Sequence, residues 1–96
     1  IKKAVRGREY ITVNVTISNG ENTSFSTGKI LMELIDTLGG VLDSNTVDSV
    51  NLAPNYENII PAINVYSTVE NIRNAFRVRM SFTINNQKFI GVAEIE

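Results

Sequence analysis

The chain of 96 residues contains no cysteine, no histidine and no tryptophan, and only two prolines. Without cysteine it can form no disulfide, and it offers neither a thiolate nucleophile nor a thiolate metal ligand. Without histidine it lacks the commonest general base near neutral pH and the commonest metal ligand. The remaining candidate groups show no spacing typical of an acid, a base and a nucleophile acting together. We therefore expect a protein that is not an enzyme and holds no cofactor.

Long apolar runs and a strong net charge are also missing. No run approaches the about 18 residues that cross a bilayer, and the first residues lack the apolar stretch of a signal peptide. With 43% hydrophobic residues and a net charge of -1, the chain is expected to fold as one soluble domain over residues 1–96, in a cytoplasm or a virion. Twelve asparagines and twelve isoleucines fit the AT-rich codons of viruses and some bacteria.

Alternating apolar residues predict a β-hairpin near the N-terminus. Over residues 10–18 every second side chain from Ile11 onward is β-branched and apolar, which is typical of a strand. The strand ends at Asn19 and Gly20, a dipeptide common in hairpin turns, so a return strand is expected over residues 22–26.

A second hairpin is predicted at the C-terminus. Strands over residues 76–85 and 88–95 are expected to join at Asn85, Asn86 and Gln87, since the first of them alternates strictly between apolar and polar side chains. The last strand is apolar on both faces for part of its length. That pattern favours a central strand, or a strand that a partner covers on both sides.

Between the two hairpins the apolar period changes to that of a helix. One apolar stripe, made of Ile30, Leu31, Leu34, Ile35 and Leu38, predicts an amphipathic helix over residues 28–38 that Gly39 closes. A second, short helix is expected over residues 67–76, because Ser67 and Glu70 have the spacing of a capping box.

Together these elements predict an α+β fold. A small antiparallel sheet from the N- and C-terminal β-hairpins would pack on the amphipathic helix, and the second short helix would cover an edge. Residues 1–9 would form a basic N-terminal arm. Residues 43–66, which contain Pro54 and Pro61, would form a long polar loop region, and loops of that length are often functional.

Two groups of acidic residues have spacings that chemistry can use. Glu33 and Asp36 would share a face of the predicted helix, although such pairs usually belong to a solvated face. Asp43, Asn45 and Asp48 offer the oxygen ligands that calcium prefers. That run lacks the glycine and the distal glutamate of an EF-hand loop, so no metal is expected.

Charge is segregated along the sequence. Residues 1–29 carry +3, the stretch between Lys29 and Arg73 carries -6, and residues 73–96 carry +2. If the hairpins lie side by side, unlike surfaces would allow copies to pair head to tail. The candidate interface residues are Lys2, Lys3, Arg6, Arg8, Arg77 and Arg79 on the basic side, and Glu33, Asp36, Asp43, Asp48 and Glu57 on the acidic side. The alternative is that these charges pair within the chain.

The leading interpretation is a non-enzymatic structural or assembly subunit of viral or phage origin. It would associate with other copies or with another protein through its basic and acidic surfaces. One alternative is a small protein-binding or inhibitor module that acts on a larger protein, and another is a small carboxylate-dependent enzyme or accessory subunit. A basic arm can contact phosphates, but the sequence pI of 5.4 indicates that any nucleic-acid binding is weak. No membrane partner is expected.

Overall fold

The computed structural model describes all 96 residues, and most of them lie in strands. In chain order the elements are β1 (Lys3–Arg6), β2 (Tyr10–Asn19), β3 (Phe25–Ser26), β4 (Ile30–Ile35), β5 (Val41–Val47), β6 (Asn51–Leu52), β7 (Tyr56–Tyr66), α1 (Val69–Asn74), β8 (Arg77–Ile84) and β9 (Gln87–Glu94). They form a three-stranded sheet β1-β2-β7, a two-stranded sheet β3-β6 and a four-stranded sheet β5-β4-β8-β9, all antiparallel. The fold is predominantly β, so the predicted α+β class is wrong.

One apolar core joins the three-stranded and the four-stranded sheet. Alternate residues of each strand face it, such as Ile11 and Val13 of β2 and Val78 of β8, which are almost completely buried. Ile72 of α1 belongs to the same cluster. β2 and β8 bury alternate residues, as period-two geometry allows, whereas β5 and β9 contain no buried residue.

β1 connects the two larger sheets along one side of the molecule. It pairs with β2, and Ala4 forms a parallel bridge with Ile95 just beyond β9. The backbone N–H of Arg6 donates to the carbonyl of Glu96, whose own N–H donates to Ala4. The predicted basic arm over residues 1–9 therefore contains a strand that is held on both sides.

The amphipathic helix predicted over residues 28–38 is also wrong, because that region contains β4. Met32 and Leu34 face the core, while Glu33 lies on the outer face. The residues of β4 on its outer face, Leu31 and Glu33, are also half-buried. The apolar residues of β4 therefore do not show the alternation that marks a strand with one exposed face.

A tight turn follows β4 where the end of the helix was expected. The carboxylate of Asp36 accepts hydrogen bonds from the N–H groups of Leu38 and Gly40, and Gly39 adopts a positive φ of 86°. Glycine tolerates that conformation at little cost. Leu38, expected on the buried stripe, is 93% exposed.

The N-terminal hairpin prediction is wrong, although its first strand exists as β2. β2 pairs with β1 and β7, whereas β3 pairs with β6. Asn19 and Gly20 do not adopt the positive φ values of a two-residue hairpin turn. Instead the buried side chain of Asn19 donates to the carbonyls of Thr23 and Leu52 and fixes the loop.

The C-terminal hairpin is confirmed. β8 and β9 pair without interruption, and Asn85 and Asn86 adopt φ values of 50° and 65° in the turn, as the tight hairpin turn requires. β9, however, lies at the edge of its sheet, so the prediction of a central strand is wrong.

The short helix is confirmed as α1, but its N-cap is Thr68 instead of Ser67. The Thr68 hydroxyl accepts the N–H of Asn71, as N-cap residues do. The predicted polar loop over residues 43–66 is instead largely strand, because it contains most of β5 together with β6 and β7. Pro61 lies inside β7, where a strand edge tolerates the missing N–H.

Candidate protein interface

The two arginines of β8 have separate environments. Arg79 lies opposite Glu33 of β4, and its Nε and Nη2 donate to the two carboxylate oxygens at 2.9 and 3.1 Å. These hydrogen bonds lower the pKa of Glu33 below its ordinary value of 4.5, and they raise the pKa of Arg79. The Arg77 guanidinium lies 4.9 Å from the centre of the Phe76 ring. Arg79 is therefore neutralised inside its own sheet.

Basic residues of the N-terminal segment are also partly committed within the chain. The Arg6 guanidinium donates to the carbonyls of Ile72 and Ala75 at the end of α1, where a cation is favourable. Lys2 lies 3.9 Å from Glu57. Lys3 and Arg8 are exposed and form no ion pair.

The five acidic candidates all have partners within the chain. Glu33 binds Arg79, Glu57 lies near Lys2, and Asp36 holds the turn after β4. Asp43 accepts a hydrogen bond from the Ser67 hydroxyl, and Lys29 lies 2.8 Å from Asp48 and lowers its pKa. The structure thus does not assemble the acidic candidates into one unpaired surface.

The predicted chemical groupings are separated in the fold. Glu33 and Asp36 cannot share a helix face, because one lies in a strand and the other in a turn. Among the possible calcium ligands, the Asn45 amide donates to the carbonyl of Tyr66 and Asp43 accepts from the hydroxyl of Ser67, whereas Asp48 pairs with Lys29. No three acidic side chains lie close enough to hold a metal ion.

A cavity lies at one end of the molecule, between the end of β2 and the β8–β9 turn. It measures about 550 Å³, and it is lined by Ile17, Ser18, Asn19, Gly20, Glu21, Phe25, Leu52, Phe82, Ile84, Asn85, Gln87 and Phe89. Phe82 and Phe89 stack with ring centres 5.4 Å apart. Glu21 is the single ionisable residue of the lining and forms no ion pair. The cavity thus combines an aromatic wall with polar residues of the two turns, and it opens beside β9.

The edge of β9 is unpaired over most of its length. Backbone hydrogen bonding alternates along an antiparallel ladder, and Ile84 and Gln87 flank the two-residue turn as a bonded pair. The next bonded residues are therefore Phe89 and Gly91, while the N–H and C=O of Lys88 and Ile90 point away from β8. β1 joins this edge only near Ile95.

Apolar side chains accompany these unpaired backbone groups. Ile90 is 58% exposed and Val92 is 50% exposed on the outer face, and Phe89 is 40% exposed on the core face. Sequence patterning identified the apolar character of β9 on both faces but not its place at an edge.

The structure contains no helix with the length and apolar character of a membrane span. Comparison with protein-family models, with curated proteins and with solved structures found no match to this chain.

Proposed function

We propose that the protein is a non-enzymatic structural or assembly subunit that associates, with other copies of the chain or with another protein, by strand addition at β9. The observation that carries the proposal is the unpaired edge of β9, which combines free backbone groups with the exposed side chains of Ile90 and Val92. A strand laid along such an edge satisfies the backbone groups and covers the apolar side chains.

This proposal replaces charge with backbone pairing as the main source of attraction. The acidic candidates and half of the basic ones have partners within the chain, Lys2 and Arg79 among the latter. Exposed pairs contribute little in any case. The twelve asparagines and twelve isoleucines support a viral or phage origin. The assembly would then be a virus or phage particle. Nucleic-acid contact is not part of the proposal, because Arg6 binds the end of α1.

Sedimentation velocity from about 1 μM to 1 mM, at low and high salt, tests association with other copies. Wild-type protein should associate with little dependence on salt, since backbone hydrogen bonds and apolar contacts are barely screened. Ile90→Lys should abolish association. Val41→Lys is the matched control, because Val41 is 50% exposed on β5 at the opposite edge of the same sheet. Equal loss in both variants would contradict the role of β9.

The same edge also suits the second candidate, a small module that binds a larger protein. A chain that stays monomeric at 1 mM, while its β9 amides exchange rapidly with solvent, would favour that candidate over an assembly subunit.

A further inference from the structure

We infer that the molecule has a place for one additional strand, in a groove between residues 15–19 of β2 and residues 87–90 of β9, and that an extended segment of a partner protein occupies it. This inference rests on the proposed function and names the segment that the β9 edge binds. The name "open groove" is used below for the space between these two stretches.

The open groove continues the path of β1. β1 pairs with β2 only up to Asn14 and with the end of β9 only at Ile95. Beyond these points β2 continues to Asn19 with β7 as its only paired strand, and β9 pairs only with β8. Ile1, which precedes β1, lies beside Gly91, because a Cβ on that glycine would be 3.4 Å from the Ile1 nitrogen. Two strands that lie on either side of β1 at one end of the molecule thus have no strand between them at the other end.

Direction and length follow from the neighbours of β1. β1 is antiparallel to β2 and runs parallel to β9 at the Ala4–Ile95 bridge. An added strand that follows the same path would run parallel to β9 from residue 87 to residue 90, where Ile1 ends the groove. At about 3.3 Å per residue it spans about 13 Å, and it meets the outward backbone groups of Lys88 and Ile90.

The cavity lies on the core side of the open groove and sets the side-chain pattern of the added strand. Phe89 faces the core and lines the cavity, whereas Ile90 faces outward. Neighbouring residues in adjacent strands share a face. Residues of the added strand beside Gln87 and Phe89 would therefore enter the cavity, where the stacked rings of Phe82 and Phe89 favour apolar side chains, while the residues between them can be polar.

Charge selects one end of the segment. Glu21 lines the cavity at the end of β2, near the β8–β9 turn, and forms no ion pair. The N-terminus of an added strand that runs parallel to β9 lies at this end. A lysine or arginine at the start of the segment would reach the free carboxylate, and charge pairs of this kind set orientation more than affinity.

Binding of two synthetic peptides to the full chain tests the inference. The probe is acetyl-Lys-Val-Thr-Val-Thr-amide, and its control is a scrambled peptide with the valines adjacent. NMR titration should give saturable binding of the alternating peptide. Resonances of Phe25 and Phe89 should shift, and the amides of Lys88 and Ile90 should gain exchange protection of about tenfold or more. Absence of binding, equal binding of the scrambled peptide, or shifts confined to β5 or β7 would each overturn the inference.

Charge reversal tests the orientation. Glu21→Lys should weaken binding of the lysine peptide severalfold, and it should strengthen binding of a third peptide in which glutamate replaces that lysine. Glu70→Lys, on the exposed face of α1, is the control and should bind like wild type. Because both sites are exposed, neither variant should lose its fold, which a circular dichroism spectrum verifies. Identical behaviour of the two variants would refute the orientation and, with it, the inferred segment.

The two proposals can fail separately. In one outcome the copies associate, Ile90→Lys abolishes that association, and the peptide does not bind. The open groove would then not be a strand site, and the proposed function would stand. A monomer that binds the alternating peptide in the open groove would support the inference and would replace the assembly subunit with the binding module.

Discussion

The edge strands β7 and β9 differ in how they are protected against pairing with another chain. β7 contains Pro61 and a register shift opposite Asn14, and both features interrupt the regular row of backbone groups that an added strand needs. β9 pairs with β8 in unbroken register and contains no proline. The difference indicates that one edge is guarded against association and the other is available for it.

The core variant Leu34→Ala should have the largest effect, because both edges depend on the core. Leu34 is fully buried on β4, and truncation of such a residue costs about 3 kcal/mol in the free energy of unfolding. Leu38→Ala should cost less than about 0.5 kcal/mol, since Leu38 is exposed. Urea denaturation measures both. Similar costs for the two variants would instead support the predicted amphipathic helix, in which Leu34 and Leu38 share one apolar stripe.

Arg6→Ala tests the side of the molecule where β1 closes the gap next to β9. The loss of the guanidinium leaves the carbonyls at the end of α1 without their donor, which should cost about 1–2 kcal/mol. Arg8→Ala serves as control, because Arg8 has no ion pair. Thermal and urea unfolding provide the measurement, and an unfolding free energy equal to that of wild type would show that Arg6 does not anchor β1.

Replacement of Pro61 should make the β7 edge more available for pairing with another chain, as the β9 edge is. Pro61→Val restores a backbone N–H and a strand-forming side chain, beside Ile59, which is 82% exposed. We expect association of this variant to be a few-fold stronger than that of wild type, as light scattering over a concentration series would report. An unchanged oligomer distribution would mean that the register shift alone protects β7.

Substitutions in the turn at Asn85 and Asn86 and in the turn at Asn19 and Gly20 should have different effects on stability. Asn86→Gly should stabilise the β8–β9 hairpin by about 0.5 kcal/mol, because Asn86 has a φ of 65° that glycine adopts without strain. Gly20→Ala should be close to neutral, since nothing lies within 4 Å of an added Cβ and φ is not positive there. Thermal denaturation compares the two, and a destabilised Asn86→Gly variant would contradict the turn geometry.

The smallest expected effect is the pH dependence from the Glu33–Arg79 pair next to β9. Its hydrogen bonds lower the pKa of Glu33 in the folded state, so the pair contributes its full stabilisation above pH 4.5 and loses it as the pH falls through the folded-state pKa. The Glu33→Gln variant should show a flatter loss of stability on acidification below pH 4.5. Urea midpoints at a series of pH values measure this, and parallel curves would argue against the pair.

The parts of the fold that sequence patterning predicted are those fixed by neighbouring residues. The C-terminal hairpin depends on local alternation and on two asparagines that tolerate positive φ, and α1 depends on a local cap. β4 could not be predicted in this way. Its apolar run satisfies a helical period as well as a buried strand, and only its place between β5 and β8 decides between them.

The candidate interface depends even more on distant pairings. The apolar faces of β9 are readable in the sequence, but the same composition suits a central strand and an edge that a partner covers. The charge hypothesis missed the cross-strand register that places Arg79 opposite Glu33. It also missed the hydrogen bond from the Arg6 guanidinium to the carbonyl of Ala75 at the end of α1. Both contacts join residues more than 40 positions apart.

The fixed amide of Asn19 also bears on how the molecule ages. Asn-Gly sequences deamidate when the backbone nitrogen of the glycine attacks the side-chain carbonyl, which requires a mobile side chain. Here that carbonyl accepts the N–H of Glu21, and the amide nitrogen is held by two further carbonyls in a buried position. Folded molecules are thereby protected from this reaction. Unfolded molecules would gradually acquire a carboxylate at position 19, and refolding would then have to bury its charge.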